Sequence, residues 1–322
     1  MATTDPFVDS DYRRPKIGLA LGAGVARGWA HIGVLRSLLA KGVVPDVVAG
    51  TSIGAVVGGA YVSGALDAVE DWARSLQKVS FYRYLDFKLR GGGLFGGQRL
   101  NDLMADNFGD VLIEDLPKPF TAIGCELKTG HEVWLSSGSL PRAIQASFAL
   151  PGVFEPVNWD GRWLVDGALV NPVPVSVCRA LGAELVIAVN LAEDIYGRAR
   201  ANREGLTSTD QYGVYADVME APTINSGRGS RSIMRKLFGS EKGAPSLFAN
   251  MLASLNIIQN RLSRSRLAGD PPDVTIAPRC GHVGLMEFNR ADELIDEGRR
   301  AFEMAESQLN DALSIIGYRM NA

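Results

Sequence analysis

Cysteine and histidine are scarce in this chain of 322 residues, which contains three of each. The cysteines form neither the paired pattern of a disulfide framework nor a CxxC motif, and they lie far apart, at Cys125, Cys178 and Cys280. This pattern excludes a disulfide-stabilised extracellular scaffold and predicts a reducing compartment. The histidines are equally scattered, so the sequence predicts neither a metal site nor a cofactor.

The chain also lacks a strong excess of charge of one sign and a long hydrophobic run. Its formal net charge of −3 argues against a protein that binds nucleic acid through a cationic surface. The longest apolar stretch, from Ile53 to Leu66, is shorter than the roughly 20 residues that a helix needs to span a bilayer. The polar segment Met1–Pro15 contains no apolar signal core. We therefore expect a cytoplasmic protein whose contact with membranes, if any, is peripheral.

Strand and helix patterns alternate along the sequence. With 46% hydrophobic residues, the chain can bury a sizeable core. Short apolar runs alternate with helical periodicities from Lys16 to Asn190, which predicts an α/β fold with a central, largely parallel sheet flanked by helices. The predicted organisation is a polar tail at 1–15, one domain at 16–315, a basic and partly mobile insertion at about 194–244, and a terminal helix at about 289–313.

Two segments that contain glycine predict local structure, a hairpin turn and a loop. Asp160-Gly161 separates two strand-like runs and is predicted to form a two-residue hairpin turn. The glycine patch Gly91–Gly97 is predicted to be a flexible loop, and Gln98–Phe108 after it is predicted to be a helix.

The motif Gly50-Thr51-Ser52-Ile53-Gly54 has the form GxSxG. Such a serine lies on a sharp turn between a strand and a helix, and Gly50 and Gly54 remove Cβ atoms that would collide in so tight a bend. A strand is predicted before Ser52 and a helix after it, whose N-terminal dipole would favour an oxyanion. The motif therefore predicts a nucleophile; the alternative is a chance GxSxG in a tightly packed helix.

A glycine-rich loop with Gly22, Gly24 and Gly28 follows the first predicted strand. Such a loop turns backbone N–H groups toward an anion, which in an acyl-transfer enzyme is the tetrahedral oxyanion. The alternative is a dinucleotide-binding loop, which needs an acidic residue at the end of the second strand, whereas Asp46 begins that strand. Arg27 is predicted to fix the loop by bonding backbone carbonyls, with direct contact to an anion as the alternative.

A serine nucleophile needs a base, and none of the three histidines is well placed to serve as one. His31 lies inside the first predicted helix, His131 at a hairpin tip, and His282 late in the chain without a neighbouring acid. Asp166 comes at the carboxyl end of a predicted strand, where the sites of α/β proteins assemble. The pattern is equally compatible with Asp166 as the base for Ser52 and with Asp166 as a cap or turn residue.

These segments, in this order, resemble the patatin-like phospholipase family. The glycine loop within Leu19–Leu35 is similar to the family's oxyanion segment, and Gly50–Gly54 is similar to its nucleophile turn. Asp166-Gly167-Ala168 is similar to the family's D-G-[GA] motif, and Ala143–Pro156 is similar to the block that precedes it. The resemblance extends over Lys16–Asn190 and implies a patatin-like three-layer fold.

The resemblance also implies roles for individual residues. It implies Ser52 as nucleophile, Asp166 as base, and an oxyanion hole formed by the backbone N–H groups of Gly24, Val25 and Ala26. It implies a lipid or acyl ester as substrate, cleaved at its carboxylic ester bond through an acyl-enzyme, without a metal in the chemical step. The alternatives are a thioesterase, an acyltransferase or a non-lipid esterase with the same dyad, and a non-catalytic lipid-binding regulatory module.

The chain departs from the family pattern in its glycine loop. Ala23 and Val25 stand where many members have glycine. A backbone N–H remains at both positions, but the β-branched Val25 disfavours a positive φ.

The basic insertion contains a segment that mixes cations with bulky apolar residues. This composition is typical of segments that lie in a membrane interface, and cations near an anionic surface strengthen such binding. The predicted contacts with an anionic membrane are Arg231, Arg235, Lys236 and Phe238. The alternative is a solvated loop.

Overall fold

The computed structural model describes residues 14–76, 108–194 and 247–321, together with the backbone of two short strands at 86–87 and 93–96. The predicted tail up to residue 13, the predicted helix at 98–107 and the insertion from 195 to 246 lie outside the described residues. The predicted membrane contacts fall in that insertion and therefore lie outside the described residues as well: Arg231, Arg235, Lys236 and Phe238.

Strands and helices alternate along the described part of the chain. The strands are β1 (Ile17–Leu21), β2 (Val47–Thr51), β3 (Asp86–Phe87), β4 (Gly93–Gly96), β5 (Phe120–Glu126), β6 (Glu132–Leu135), β7 (Gly152–Phe154), β8 (Val157–Trp159), β9 (Arg162–Asp166), β10 (Leu185–Val189) and β11 (Val274–Ile276). The helices are α1 (Ala30–Ala40), α2 (Ile53–Ser63), α3 (Leu66–Ser75), α4 (Leu140–Ser147), α5 (Val175–Ala180), α6 (Leu247–Gly269) and α7 (Ala291–Ile315). Within these ranges, no helix combines the length and the apolar character that crossing a bilayer requires.

An eight-stranded sheet forms the centre of the fold, in the order β11-β10-β1-β2-β5-β9-β8, with β6 also paired to β5. The strands from β11 to β5 are parallel, and β6, β8 and β9 are antiparallel additions. A parallel sheet needs cover on both faces. Along β1, Ile17, Leu19 and Leu21 belong to the core shared with α1, α2 and α7, whereas Ala20 belongs to a smaller core with α5. The predicted three-layer α/β architecture is confirmed.

β5 carries two different strands on one of its edges. β2 runs parallel to its first half, with Thr51 opposite Ile123, and β9 runs antiparallel to its second half, with Asp166 opposite Gly124. β6 pairs with one edge of β5, beside both the part that β2 contacts and the part that β9 contacts. Because a strand has only two edges, β2 and β9 must lie end to end along the other edge. Ser52, which follows the last residue of β2, therefore meets the last residue of β9.

The predicted hairpin turn at Asp160-Gly161 is confirmed. Asp160 has φ 49° and Gly161 has φ 81°, so both residues are left-handed, as a type I′ turn requires. The turn pairs Trp159 with Arg162 and sets the register of β9 against β8.

The predicted loop at Gly91–Gly97 is wrong, because Gly93–Gly96 forms β4, which pairs with β3 and, in parallel, with β7. Glycine weakens strand preference, but β7 supplies hydrogen-bond partners from a distant part of the sequence. The terminal helix begins at Ala291, slightly later than predicted, because Phe288–Arg290 forms a 3-10 turn before it.

Helices α1 and α7 cross in close contact through a pair of glycines. A Cβ atom at Gly33 would lie 1.9 Å from the carbonyl oxygen of Ile295, and one at Gly298 would lie 2.0 Å from the carbonyl oxygen of Ala30. Real Cβ atoms do not approach backbone this closely, so each helix needs its glycine for the crossing to form.

We predict that Gly298→Ala lowers the free energy of unfolding by about 1–3 kcal/mol, because the added methyl group forces the two backbones apart. Gly269→Ala at the end of α6 is the control, since a Cβ there meets no atom within 4 Å. Urea denaturation of both variants measures the effect. Equal stability of Gly298→Ala and the wild type would contradict the close crossing.

Candidate active site

Ser52 lies on a tight turn between β2 and α2, with φ 58° and ψ −124°. Its flanking glycines are required by packing. A Cβ at Gly50 would lie 2.5 Å from the carbonyl oxygen of Gly54, and a Cβ at Gly54 would lie 2.2 Å from the carbonyl oxygen of Leu21. The strand and helix that the GxSxG motif predicts on either side of the serine are both present. This turn holds Ser52 at the carboxyl end of the parallel sheet.

Ser52 and Asp166 form a direct hydrogen bond. The Ser52 hydroxyl donates to Oδ2 of Asp166 at an Oγ–Oδ2 distance of 2.7 Å. The other carboxyl oxygen, Oδ1, accepts the backbone N–H of Ala168 at 2.8 Å. Ser52 is 2% exposed and Asp166 is 1% exposed. The contact lies within the range over which a carboxylate can take the proton of a hydroxyl.

Burial changes the acidity of Asp166. Loss of hydration raises the pKa of this carboxyl from 3.8 to about 7, against the opposing effect of the hydrogen bonds from Ala168 and Ser52, which lower it. A carboxyl with a pKa near neutrality is a stronger proton acceptor than an ordinary aspartate and is still ionised in a large fraction of molecules at pH 7.

The position of Asp166 depends on the residues around it. Gly167 packs so closely on β5 that a Cβ there would lie 2.2 Å from the carbonyl oxygen of Ile123. The N–H of Asp166 donates to the carbonyl of Ala149 at 3.0 Å. Asp166 also caps the 3-10 turn that follows it, through its bond with Ala168. Asp166 is therefore both a turn cap and a hydrogen-bond partner of Ser52. Oδ1 caps the turn, and Oδ2 accepts the Ser52 hydroxyl.

The three histidines lie in parts of the fold other than the Ser52–Asp166 pair. His31 is fully buried, and its Nε2 lies 2.7 Å from the carbonyl oxygen of Gly22. Burial lowers the pKa of His31 to about 4, so the ring is neutral and Nε2–H is the donor. His131 is exposed at the hairpin tip. His282 has a nearby acid after all, since its Nε2 lies 2.8 Å from Glu293 on α7.

The glycine loop retains two free N–H donors among the described residues, those of Gly24 and Val25. Val25 begins the 3-10 turn Val25–Trp29. The other early N–H groups of the loop are engaged: Gly22 donates to Val189, Ala23 to Pro172, and Ala26 to Leu285. The Ala26 N–H is therefore committed within the fold, which narrows the potential oxyanion donors of this loop to Gly24 and Val25.

Val25 adopts the left-handed conformation that its side chain disfavours, with φ 52°. Such a residue costs on the order of 1–3 kcal/mol and persists only where its surroundings hold it. Ala26 is tied to Leu285, and the buried Arg27 donates from Nε to the carbonyl of Val283 at 2.8 Å and from a terminal nitrogen to Gly281 at 3.4 Å. Arg27 thus connects the loop to backbone carbonyls of a distant segment.

Ser147 makes a contact to Ser52 that the sequence does not reveal. Its hydroxyl oxygen accepts the backbone N–H of Ser52 at 2.9 Å, and Ser147 is fully buried at the end of α4. Ser147 belongs to the segment Ala143–Pro156, which is similar to a family block. That similarity is the feature of the sequence that could have drawn attention to Ser147. The distance in sequence between the two serines hides the contact.

A small, mostly apolar cavity of about 10 Å³ has Ser52 in its lining. Its lining combines aromatic and aliphatic side chains with one serine: Val25, Ser52, Phe148, Leu150, Val153, Phe154, Met286 and Phe288. At about 10 Å³, the cavity has room for about one water molecule. Among the described residues, no group of histidine, cysteine, aspartate and glutamate side chains is arranged to hold a metal ion.

Comparison with known proteins identifies the family to which this chain is similar. The sequence model of the family described as patatin-like phospholipase matches residues 19–179, which include Ser52 and Asp166. NTE family proteins of Mycobacterium bovis and Mycobacterium tuberculosis are 34% identical to this chain, over 88% of the chain and 89% of each relative.

Two further similarities are to a much longer protein and to a solved structure. The neuropathy target esterase of Drosophila melanogaster is 33% identical over 202 residues, which are 58% of this chain and 14% of that protein. The crystal structure of VipD from Legionella pneumophila aligns with a TM-score of 0.41 and 12% identity, over 91% of this chain and 67% of that chain. On the family match and the mycobacterial relatives, the chain belongs to the patatin-like phospholipase family.

Proposed function

We propose that this protein is a serine lipid hydrolase that cleaves carboxylic esters with Ser52 as nucleophile and Asp166 as base. The observation that carries the proposal is the 2.7 Å hydrogen bond between the Ser52 hydroxyl and the buried Asp166 carboxyl. Membership of the patatin-like phospholipase family supports lipid hydrolase activity in general.

The first half of the proposed reaction forms an acyl-enzyme. Asp166 accepts the Ser52 proton as the serine oxygen attacks the ester carbonyl carbon. The negative charge that develops on the carbonyl oxygen is stabilised by the N–H groups of Gly24 and Val25 and by the N-terminal end of α2. Asp166 then returns the proton to the alkoxide of the leaving alcohol, and the C–O bond of the ester breaks.

The second half releases the fatty acid. A water molecule gives a proton to Asp166 and attacks the acyl carbon, which forms a second tetrahedral intermediate at the same N–H donors. The bond to Ser52 breaks and the serine oxygen recovers its proton from Asp166. Nucleophile and base end as they began, so no cofactor is consumed.

The side chains that line the small cavity beside Ser52 are mostly apolar, which supports a substrate with a hydrocarbon part. The side chains of Phe148, Leu150 and Phe154 offer no hydrogen bonds and would favour hydrocarbon over a polar substituent. The names of relatives point to the same chemistry, since the Drosophila melanogaster protein is a neuropathy target esterase.

We predict that Ser52→Ala reduces ester hydrolysis by about 10³-fold or more, because the nucleophile is lost. Ser63→Ala at the end of the same helix is the control and should retain wild-type activity, since the Ser63 hydroxyl bonds the carbonyl of Ala60 within the described part of the chain. Fatty acid release from a panel of phospholipids, acylglycerols, thioesters and chromogenic esters measures the effect and defines the substrate class. Undiminished hydrolysis by Ser52→Ala would refute the assignment.

The raised pKa of Asp166 predicts how activity depends on pH. The base must be ionised to accept the serine proton, and its pKa is about 7. We expect kcat/KM for a soluble ester to rise with pH through a midpoint at about 7 and to level off above it. A pH–rate profile measures this directly. A midpoint near pH 4, the value for an ordinary aspartate, would contradict a buried base.

The same pKa predicts a cost in stability. Between about pH 4 and pH 7 the folded protein keeps a proton on Asp166 that the unfolded chain releases, so stability falls as pH rises through this window. Asp166→Asn removes the buried charge. We predict that this variant is more stable than the wild type at pH 8, by on the order of 1–4 kcal/mol, and that the difference shrinks toward pH 4.

Urea denaturation at pH 8 and at pH 5 tests this prediction. Asp160→Asn, in the exposed hairpin turn, is the matched control for the exchange of an aspartate for an asparagine. A variant at position 166 that is less stable than the wild type at pH 8 would mean that the ionised carboxyl stabilises the fold.

A further inference from the structure

We propose that Ser147 is a positioning residue that holds Ser52 in its reactive conformation. Its hydroxyl oxygen accepts the Ser52 N–H at 2.9 Å, and neither residue is more than 2% exposed. Ser147 lies outside the dyad and outside the glycine loop, so this role is additional to the proposed function, on which it rests.

Ser52 needs such a contact because its backbone is strained. A serine at φ 58° and ψ −124° lies outside the regions that non-glycine residues favour, and such residues persist only when neighbouring groups hold them. The carbonyl of Ser52 is held by α2, where it accepts the N–H of Ala55 at 2.8 Å. The N–H of Ser52 comes after the last paired residue of β2, and Ser147 is its acceptor within the described part of the chain.

The segment that begins with Ser147 also holds the base. Two residues further on, the carbonyl of Ala149 accepts the N–H of Asp166 at 3.0 Å. One short piece of chain therefore anchors the backbones of both partners in the Ser52–Asp166 hydrogen bond. Because the two anchors are only two residues apart, the segment can set the separation of the serine oxygen and the carboxyl to the observed 2.7 Å.

Ser147→Ala should weaken this arrangement without removing any reacting atom. The buried N–H of Ser52 loses its acceptor, and we expect kcat to fall by roughly 10- to 100-fold with KM within about twofold of the wild type. The midpoint of the pH–rate profile should also move upward, because the hydrogen bond from Ser52 is one of the groups that lower the pKa of Asp166. Ser147→Cys, with its weaker acceptor, should give intermediate values.

Ser139→Ala is the matched control, since it removes a serine hydroxyl from the same helix. Ser139 caps the N-terminus of α4 by accepting the N–H of Arg142 at 3.5 Å, and it has no contact with Ser52. Loss of the cap should lower the stability of the helix by a measurable amount while leaving kcat and the pH midpoint unchanged. Hydrogen exchange of the peptide that covers Ser52 gives a readout independent of turnover, and it should accelerate in Ser147→Ala only.

The outcomes separate the two proposals. A kcat, a pH midpoint and a Ser52 exchange rate that change in Ser147→Ala but not in Ser139→Ala support the positioning role. The role is overturned if Ser147→Ala keeps wild-type kcat, or if both variants lose activity only in proportion to their loss of stability. A wild-type protein that hydrolyses no ester would instead refute the proposed function, and the role of Ser147 with it.

Discussion

The edge of β5 that β2 and β9 share is the constraint on which the rest of the site depends. Thr51 and Asp166 pair with adjacent residues of that edge, Ile123 and Gly124, so the turn at Ser52 must meet Asp166. Gly167, next to Asp166, has no side chain, which leaves room for the carbonyl of Ile123 and lets β9 approach β5 closely. A parallel sheet extended by an antiparallel hairpin thus brings together two residues from distant parts of the sequence.

This meeting point is energetically unfavourable by itself. A carboxyl is buried, and Ser52 and Val25 both have positive φ. Acceptors in distant segments hold these features in place through hydrogen bonds. Ser147 and Ala149 accept on one side, and carbonyls of the Val283–Leu285 region accept on the other. Strain and desolvation concentrated at one site, in a well-packed fold, are typical of a protein whose function requires them.

Much of the fold and part of the site could be predicted from the sequence. Local patterns predict the alternation of strands and helices, the turn at Asp160-Gly161 and the tight turn at Ser52. The physical requirements of these features are met by neighbouring residues. The proposal that Asp166 is the base rests on the family resemblance as well. Three features were beyond the sequence because each depends on a partner far along the chain: the strand at Gly93–Gly96, the engagement of Ala26 by Leu285, and the contact of Ser147 with Ser52.

The central claim is that Asp166 makes Ser52 nucleophilic, and the reaction of Ser52 with a fluorophosphonate tests it most directly. The site of labelling is identified by peptide mass spectrometry in the wild type and in Asp166→Asn. The account predicts a single phosphonylated serine, Ser52, in the wild type, and labelling slowed by at least about 10²-fold in the variant. Equal labelling of both proteins, or labelling at another serine, would contradict it.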